Sequence, residues 1–567
     1  MNKFKQFLKD HSGNLTPILG LAAFPALIGA GAAIDMVRVS SEQAAFYAAV
    51  DTAALSIASD DKSAISSLSG QALNDRVAQL EKLATKYITA NYKSATGVKS
   101  VIASKLSING SSVKLSSSIE IPMTIMSLVG IQKVTFTANS TIKKASRPIE
   151  LVMVMDTTGS MAGSKIAGSI SAAHTLLTRL YGGSKTAMPR SEFIRTALVP
   201  FSGAVKLDTS ASDFKLSWID TTGLNPLSKT NFDAIPTTPS QWNNYYAWSQ
   251  VKNGGTSHVW NGCVEGRQTS STPANDYLRN DTAPNAADPA TLFPAYFNPD
   301  VPQRTPNGSG GYTSYGLDYI ATTTECTGLS SAVCSSTATA DMRTKQENYA
   351  KYASTDIGPT SGNGPWRNCA VSKVVPMTYD RNSVEAGIDL MVASGPTVIP
   401  EGLAWGWRAI SPSEPLSKVT GSGSIAGANI SPYNDVRWKK IMVLMTDGDN
   451  DVGPGSTSYN NTTYTAYGYG GEPIATNRYG TIAATSAMTD SIDATMATIC
   501  GKIKAQGITL YVASFGSGVS STTRTRLQNC ATSGTGYYQH AATPTDLTAF
   551  FDHVGEDVIN KSIYVSN

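Results

Sequence analysis

The apolar positions of the chain begin with one uncharged run, residues 15–34, which is about 20 residues long and therefore of membrane-spanning length. Lys3, Lys5 and Lys9 precede this run, and Asp35 follows it. Basic residues on the N-terminal side predict a cytoplasmic N-terminus and a single pass through the inner membrane, because positive flanks stay on the cytoplasmic side. The pattern also excludes a multi-pass membrane protein.

The fate of this segment has two interpretations. Small residues at Ala30, Ala32 and Ala33 are compatible with a cleaved signal peptide. An Ala-rich amphipathic pattern over residues 39–59 continues directly from the apolar run, and for that reason we favour an uncleaved anchor. In both cases we expect the bulk of the chain in the periplasm, or at the cell surface if the segment is cleaved or the protein is exported.

After the anchor, the pattern indicates a small α+β unit. Apolar residues at helical spacing predict a helix over residues 71–91. The pair Asn109-Gly110 is a hairpin signal between two apolar, β-branched segments. The predicted strands are residues 98–108, 113–121 and 134–142.

From residue 149 onward, continuous apolar runs alternate with amphipathic helices. Apolar runs without alternation are typical of strands buried on both faces of a parallel sheet. This arrangement predicts a doubly wound α/β domain. The predicted strands are residues 149–155, 194–201, 371–378, 440–445 and 508–515, and the predicted helices are residues 165–180, 384–393, 402–410, 490–506 and 544–559.

Two segments interrupt the alternation, residues 206–370 and residues 453–479. The first segment is too long for a structureless loop in a compact domain, so we expect a folded insert that is cross-linked by disulfides. The second is rich in Tyr among Gly and Thr. The first insert holds five of the eight tryptophans, Trp218, Trp242, Trp248, Trp260 and Trp366, and the second holds Tyr459, Tyr464, Tyr467 and Tyr469.

Three domains are expected from these patterns. Residues 1–59 comprise the cytoplasmic stub, the transmembrane helix and its helical extension. Residues 60–147 form the α+β unit, and residues 148–567 form the α/β domain with its two inserts.

The amino-acid composition excludes some classes of function. Charged residues make up 15% of the chain, and Lys+Arg 45 against Asp+Glu 42 gives a net charge of +3. This balance, without a concentrated basic stripe, excludes nucleic acid as a partner. Sequence motifs of nucleotide binding, serine hydrolysis and zinc proteolysis are absent from the printed sequence, so an enzyme is disfavoured.

The six cysteines indicate disulfides, because an even number in an exported chain without a C-x-x-C motif favours them over zinc or free thiols. Spacing alone leaves several pairings open. We favour Cys500–Cys530 around one helix–strand unit and Cys263–Cys369 at the base of the first insert. Cys326–Cys334 then remains as a short loop.

Polar oxygens follow the predicted strands at the ends where α/β sheets place their ligands. Asp156, Thr158 and Ser160 follow the first strand, Asp447 follows the strand at 440–445, and Thr397 precedes the helix at 402–410. Carboxylates and hydroxyls suit a hard divalent cation, Mg²⁺ or Mn²⁺ or else Ca²⁺. The alternative is that the two aspartates only cap helices and turns.

Two carboxylates leave such a cation under-neutralised, which predicts open positions and attraction to an acidic residue of a protein partner. Asp449 and Asp451 follow Asp447 at a spacing of two. They offer a second calcium site, although a solvated acidic turn is the favoured interpretation. His174 is expected on a helix face rather than as a catalytic base.

The pattern Asp156-x-Thr158-x-Ser160, with Thr397 and Asp447, resembles the metal-ion-dependent adhesion site of von Willebrand factor type A domains. The usual first motif has Ser at the middle position, and Thr158 keeps the hydroxyl. The resemblance implies an edge strand over residues 371–378 that runs antiparallel, and inserts that border the metal. On that basis we hypothesise that the aromatic inserts form the partner-binding surface, so that deletion of residues 455–478 abolishes binding but preserves the fold. The alternative is that they only shield the domain.

A second resemblance is to the TadG-like proteins of the tight-adherence (Flp) pilus system. It rests on Gly13-Asn14, the apolar run and the Ala-rich continuation, which are similar to a TadE/TadG-like N-terminus, and on residues 260–265, 402–408 and 500–530. The resemblance implies a membrane-anchored, metal-dependent protein-binding module that acts in pilus assembly or adherence, with a pilus or cell-envelope component as partner. The chain lacks an early Glu in the apolar run, so we do not expect a processed pilin. Alternatives are an exposed adhesin for host or matrix proteins and, less favoured, a metal-dependent hydrolase.

Overall fold

The computed structural model describes residues 15–59, 70–93, 99–109, 112–183, 191, 193–302, 319–320, 322–336, 338–353, 356–357, 364–421, 427–453, 460, 462–470, 476–481 and 485–566. The chain divides into two compact units. The first comprises residues 1–146 together with 563–567, and the second comprises residues 147–562.

The first unit packs two helices on an antiparallel sheet. Helices α1 (Leu15–Ser59) and α2 (Gly70–Asn91) precede strands β1 (Lys99–Asn109), β2 (Ser112–Pro122) and β3 (Lys133–Ser146), and the C-terminal strand Ile563–Ser566 pairs with β3. Its core is formed by apolar residues of the second half of α1, of α2 and of β2. They include Phe46, Val50, Ala54, Ile57, Leu80, Ala84, Ile88, Val113, Leu115 and Ile119.

One continuous helix, α1, contains both the apolar run and the Ala-rich extension. It is the one helix of the described residues that is long and apolar enough to cross a membrane. Large apolar side chains between Leu19 and Val37 are exposed, whereas Val39, Phe46, Val50 and Ile57 pack into the core of the first unit. The expected apolar N-terminal helix is therefore present.

The division of the chain differs from the predicted one in two respects. Residues of the predicted first and second domains form one unit, because the second half of α1 supplies part of its core. The predicted third domain was expected to reach residue 567, but the strand Ile563–Ser566 completes the sheet of the first unit instead. A four-residue strand carries too little pattern for its sheet to be identified from the sequence.

The second unit is built on a six-stranded sheet. Its strands are β4 (Ile149–Asp156), β5 (Ile194–Phe201), β6 (Val375–Thr378), β7 (Lys439–Thr446), β8 (Thr509–Phe515) and β9 (Tyr538–Ala541), in the order β6-β5-β4-β7-β8-β9. All neighbours are parallel except β6, which runs antiparallel to β5 at the edge. The predicted α/β sheet and its antiparallel edge strand are confirmed.

Helices cover both faces of this sheet. They are α3 (Ser164–Tyr181), α4 (Arg381–Asp389), α5 (Ile399–Ile410), α6 (Thr485–Ala505), α7 (Ser521–Cys530) and α8 (Pro544–Ser562). Helices α3, α4 and α8 share one apolar cluster with the sheet, and α5, α6 and α7 share the other. Helix α7 and strand β9 were not predicted, because their sequences are short and mostly polar.

The first insert is folded, as expected, from short elements. Two-residue strands pair Val205–Lys206 with Cys263–Val264 and Ile219–Asp220 with Phe293–Pro294, and Lys252–Asn253 pairs with Thr256–Ser257. Its helices are Asn244–Gln250, Thr322–Glu325, Ser331–Ser335 and Thr339–Gln346. The disulfides join the pairs that the sequence favoured, Cys263–Cys369, Cys326–Cys334 and Cys500–Cys530.

Seven of the nine aromatic side chains singled out in the inserts lie in the core, which contradicts the hypothesis that these seven are exposed anchors of a partner-binding surface. Tyr464, Tyr467 and Tyr469 are at most 3% exposed, and the four tryptophans at 218, 242, 248 and 260 are at most 6% exposed. Tyr459 lies outside the described residues. Deletion of residues 455–478 would remove these three tyrosines from the core, so we expect it to destabilise the domain rather than to preserve the fold.

A buried carboxylate explains why Tyr464 can enter the core. Glu265 is fully buried; it accepts hydrogen bonds from the Tyr464 hydroxyl and the Asn244 amide, and pairs with the Arg478 guanidinium. The first insert thus supplies a hydrogen-bond partner for the buried Tyr464 hydroxyl of the second insert. The two inserts thus stabilise each other.

Truncation of Tyr467 tests this packing. Its ring is fully buried and its hydroxyl has no hydrogen-bond partner. We expect Tyr467→Ala to lower the free energy of unfolding by about 3–5 kcal/mol through loss of buried contacts, and Tyr467→Phe to be close to neutral. Denaturant midpoints measure both, with Val259→Ala, at an 82% exposed residue, as the surface control. Equal midpoints for Tyr467→Ala and the control would contradict the core assignment.

Candidate functional site

The candidate site lies at the carboxyl ends of the adjacent parallel strands β4 and β7. The register pairs Met155 with Met445, so Asp156 and Thr446 are the next residues on neighbouring strands. The Thr446 hydroxyl donates to Asp156 Oδ2 at 2.6 Å. The backbone N–H of Thr158 donates to Asp156 Oδ1 at 2.8 Å. The two oxygens of this fully buried carboxylate are therefore held by strand and loop together.

Hydroxyl groups connect the loop after β4 to the carboxylate after β7. Thr158 Oγ1 and Ser160 Oγ lie 2.9 Å apart, and Ser160 Oγ donates to Asp447 Oδ1 at 2.6 Å. Four of the five predicted ligands thus lie within one set of hydrogen bonds.

The fifth predicted ligand, Thr397, reaches the same place from the loop before α5. The N–H of Gly159 donates to the carbonyl of Gly395 at 2.8 Å, which ties this loop to the one after β4. A methyl group built on Gly448 would lie 3.8 Å from Ser160 Oγ and 3.9 Å from Thr397 Oγ1. Thr397 Oγ1 and Ser160 Oγ therefore border the same side of Gly448, directly after Asp447.

Burial and charge alter the acidity of the inner carboxyl group. Burial, and then the nearby charge of Asp447, raise the pKa of Asp156 to about 6, against the opposing effect of its hydrogen bonds. A positive charge bound next to Asp156 would favour the ionised form of its carboxyl group, because opposite charges stabilise each other most where water is excluded.

A residue that the sequence interpretation missed, Lys165, contacts the site. Its Nζ donates to Asp447 Oδ2 at 2.5 Å, and the lysine side chain is 32% exposed. Lys165 lies in the first turn of α3, which begins soon after Ser160, so its position in sequence is a usable signal. This ammonium group forms an ion pair with Asp447.

The donor set fits a hard divalent cation. Two carboxylates and three hydroxyls from three loops are oxygen ligands of the kind that Mg²⁺ and Mn²⁺ prefer. Within the described residues no group of three or more His, Cys, Asp and Glu side chains could hold a metal ion. Any divalent ion bound here would therefore depend on the hydroxyls as well as the two aspartates.

The neighbouring aspartates have other roles. Asp449 Oδ1 accepts from the Ser520 hydroxyl at 3.2 Å, and Asp451 Oδ1 accepts from the N–H of Gly453 at 2.8 Å. The backbone of Asp451 exchanges two hydrogen bonds with that of Thr397. This arrangement agrees with the favoured interpretation of an acidic turn, and it positions Thr397.

Two histidines bear on the hydrolase alternative. His174 lies on the surface of α3, 2.8 Å from Asp389 Oδ1, as expected for a helix-face residue. His540 Nδ1 lies 3.0 Å from Ser514 Oγ at the carboxyl end of β8. Ser514 is fully buried and also bonded to the Tyr538 hydroxyl, so this pair offers no accessible nucleophile.

Comparison with known proteins gives no family assignment. No family model matches the chain, and no curated protein matches it. Among solved structures, the chain is similar to the pilus adhesin SpaC from Lactobacillus rhamnosus GG, with 10% identity and a TM-score of 0.29 over 82% of this chain and 35% of that one.

Two further solved structures come from pilus proteins. The von Willebrand factor domain of the type V pili tip protein Mfa5 from Porphyromonas gingivalis has 10% identity and a TM-score of 0.29, with 75% of this chain and 98% of that one covered. The PilB minor pilin from Streptococcus sanguinis has 12% identity and a TM-score of 0.29, with 83% and 80% covered.

These similarities are too low to support any argument about fold or function. The chain also spans only about a third of the length of SpaC.

The raised pKa of Asp156 predicts that the stability of the protein depends on pH when a chelator removes divalent metal ions. Because the folded-state pKa, about 6, lies above the unfolded value of about 3.9, the folded state binds more protons between these values. Protonation therefore stabilises the fold fully below about pH 4, and this contribution of about 3 kcal/mol is lost as the pH rises through 6. We expect Asp156→Asn to lack this loss. Denaturant titrations of both proteins at several pH values measure it, and parallel profiles would contradict it.

Proposed function

We propose that the protein is a membrane-anchored binding module that holds Mg²⁺ or Mn²⁺ at its sheet edge and uses it to bind an acidic group of a protein partner. The observation that supports the metal most strongly is the convergence of five oxygen-bearing side chains from three separate loops. Asp156 and Asp447 supply the negative charge, and Thr158, Ser160 and Thr397 supply neutral oxygens.

The balance of charge favours binding over catalysis. A divalent cation between two carboxylates, one of which already pairs with Lys165, retains net positive charge toward solvent. When bound, the ion would supply a Lewis-acidic point for a carboxylate of the partner. The residues of this chain hold and orient the ion, and the buried hydrogen bonds of Asp156 fix the innermost oxygen.

The biological setting that we propose is assembly of a tight-adherence pilus, or adherence itself, outside the inner membrane. Support for this setting comes from the sequence resemblance of the N-terminal segment and of residues 260–265, 402–408 and 500–530 to TadG-like proteins, and from the exposed apolar side chains between Leu19 and Val37. The partner would then be a pilus or envelope component with an accessible Asp or Glu.

Metal binding predicts a cation-dependent melting temperature. A ligand present at about 100 times its Kd stabilises the folded state by about 2.7 kcal/mol. We expect Mg²⁺ or Mn²⁺ to raise the melting temperature of the full-length protein in detergent by a few degrees, and Asp156→Ala with Asp447→Ala to abolish the rise. Asp449→Ala is the matched control, because Asp449 bonds to Ser520 outside the site. An equal rise in the double variant would contradict the metal site.

Partner capture tests the binding function. We expect the detergent-solubilised wild-type protein to retain an envelope component in the presence of Mg²⁺, and to lose it with chelator or in Asp156→Ala with Asp447→Ala. Retention that is identical with and without chelator would contradict a metal-dependent contact. Protease treatment of intact cells then separates the alternatives, because an adhesin must be cleaved from outside, whereas a periplasmic assembly factor is protected.

A further inference from the structure

The connection between β2 and β3 carries an exposed apolar tip. Residues 126–129 form a single turn of 3-10 helix that ends at Gly130. Leu128 is 82% exposed, and Val129 and Ile131 are each 44% exposed. Three large apolar side chains on this turn and directly after it form an exposed apolar patch, which is a mark of an interaction surface.

This connection is bound to α1 through Asp35. The Asp35 carboxylate, which is nearly fully buried, accepts hydrogen bonds from the backbone N–H groups of Thr124, Ile125 and Met126 at 3.2, 2.7 and 2.8 Å. Arg38 donates to the Thr124 hydroxyl at 2.8 Å. The side chains of α1 therefore fix both the position and the backbone conformation of the turn.

Close packing adds a second attachment one helical turn earlier. A methyl group built on Gly31 would lie only 2.2 Å from Ile125 Cγ2. No side chain larger than hydrogen fits at this point, so Ile125 packs directly on the helix backbone.

The level of the turn along α1 follows from the helix geometry. Gly31 and Asp35 are separated by about 6 Å along the helix axis at about 1.5 Å per residue. They lie at the end of the apolar run of residues 15–34. On the N-terminal side of the contact, Leu21, Phe24 and Leu27 are 67–76% exposed. The apolar tip of the turn thus continues the apolar surface of the helix.

We propose that residues 125–131 insert into the outer leaflet of the bilayer that α1 spans, at the boundary between headgroups and acyl chains. Apolar groups of interfacial segments are buried about 5–10 Å below the headgroups, and the turn lies where the apolar run of the helix ends. The occupant of this surface is lipid. A second contact beside the span would stop the first unit from tilting and rotating freely about a single helix.

This inference rests on the anchor in the proposed function, and the test reports on the two separately. The full-length protein, in nanodiscs of phosphatidylethanolamine and phosphatidylglycerol, carries one new cysteine labelled with the fluorophore NBD. All six native cysteines are in disulfides, so the new thiol is the one that reacts. Leu128→Cys reports on the turn, and Leu21→Cys reports on the span. Ser107→Cys reports on an exposed residue of β1 that pairs with Lys114, near the end of β2 away from the turn.

Quenching by spin-labelled lipids measures the depth of each label. We expect strong quenching at position 128 by lipids labelled near the headgroup, quenching at position 21 by lipids labelled deeper in the acyl chain, and little at position 107. If the label at position 21 is quenched but the label at position 128 is quenched no more than the label at position 107, the inference is overturned and the anchor is still supported. Absence of quenching at 21 overturns the anchor and the inference together. Val129→Cys repeats the measurement at a second exposed site.

Discussion

The fully buried carboxylate of Asp156 is the constraint on which the site depends. A buried charge is costly unless hydrogen bonds or an opposite charge compensate it. The strand geometry provides the Thr446 hydroxyl and the loop provides the N–H of Thr158, and these two bonds determine how the loop leaves β4. Once the loop is set, Ser160 reaches Asp447, and Lys165 follows on the first turn of α3. Four of the five predicted ligands therefore depend on one another for their positions.

The same principle governs the inserts, where charge is buried in pairs. Glu265 pairs with Arg478, and Lys351 pairs with Asp300, with each side chain almost fully buried. Breaking such a pair leaves an uncompensated charge and costs about 3–5 kcal/mol. Glu265 and Arg478 come from different inserts. Removal of either insert would therefore leave a buried charge of the other insert without its partner. The inserts are therefore part of the core of the second unit, despite their loop-like composition.

Much of the architecture was predictable because buried parallel strands have a strong signature. The runs that became β4, β5, β7 and β8 are continuous and apolar, and the adjacent polar residues marked the site at their carboxyl ends. Strand β9 and helix α7 are short and polar, so periodicity could not identify them. The Tyr-rich segment was misinterpreted because composition does not show whether a hydroxyl finds a buried partner. Lys165 lies close to Ser160 in sequence, but the partner of its ammonium group, Asp447, is 282 positions away and only the folded sheet brings the two together.

The continuity of α1 bears on whether the N-terminal segment is removed. Cleavage at Ala30, Ala32 or Ala33 would cut within the helix that holds the turn after β2. Cleavage after Ala32 or Ala33 would remove the backbone at Gly31 on which Ile125 packs. It would also leave Asp35, whose carboxylate accepts three backbone hydrogen bonds, close to a new chain end. The first turns of a helix lack internal partners and fray, so the carboxylate would lose the rigid position that those bonds require. The end of the apolar run, at Gly31, is thus part of the packing of the first unit, and this contact favours an anchor that stays attached over a signal that is discarded.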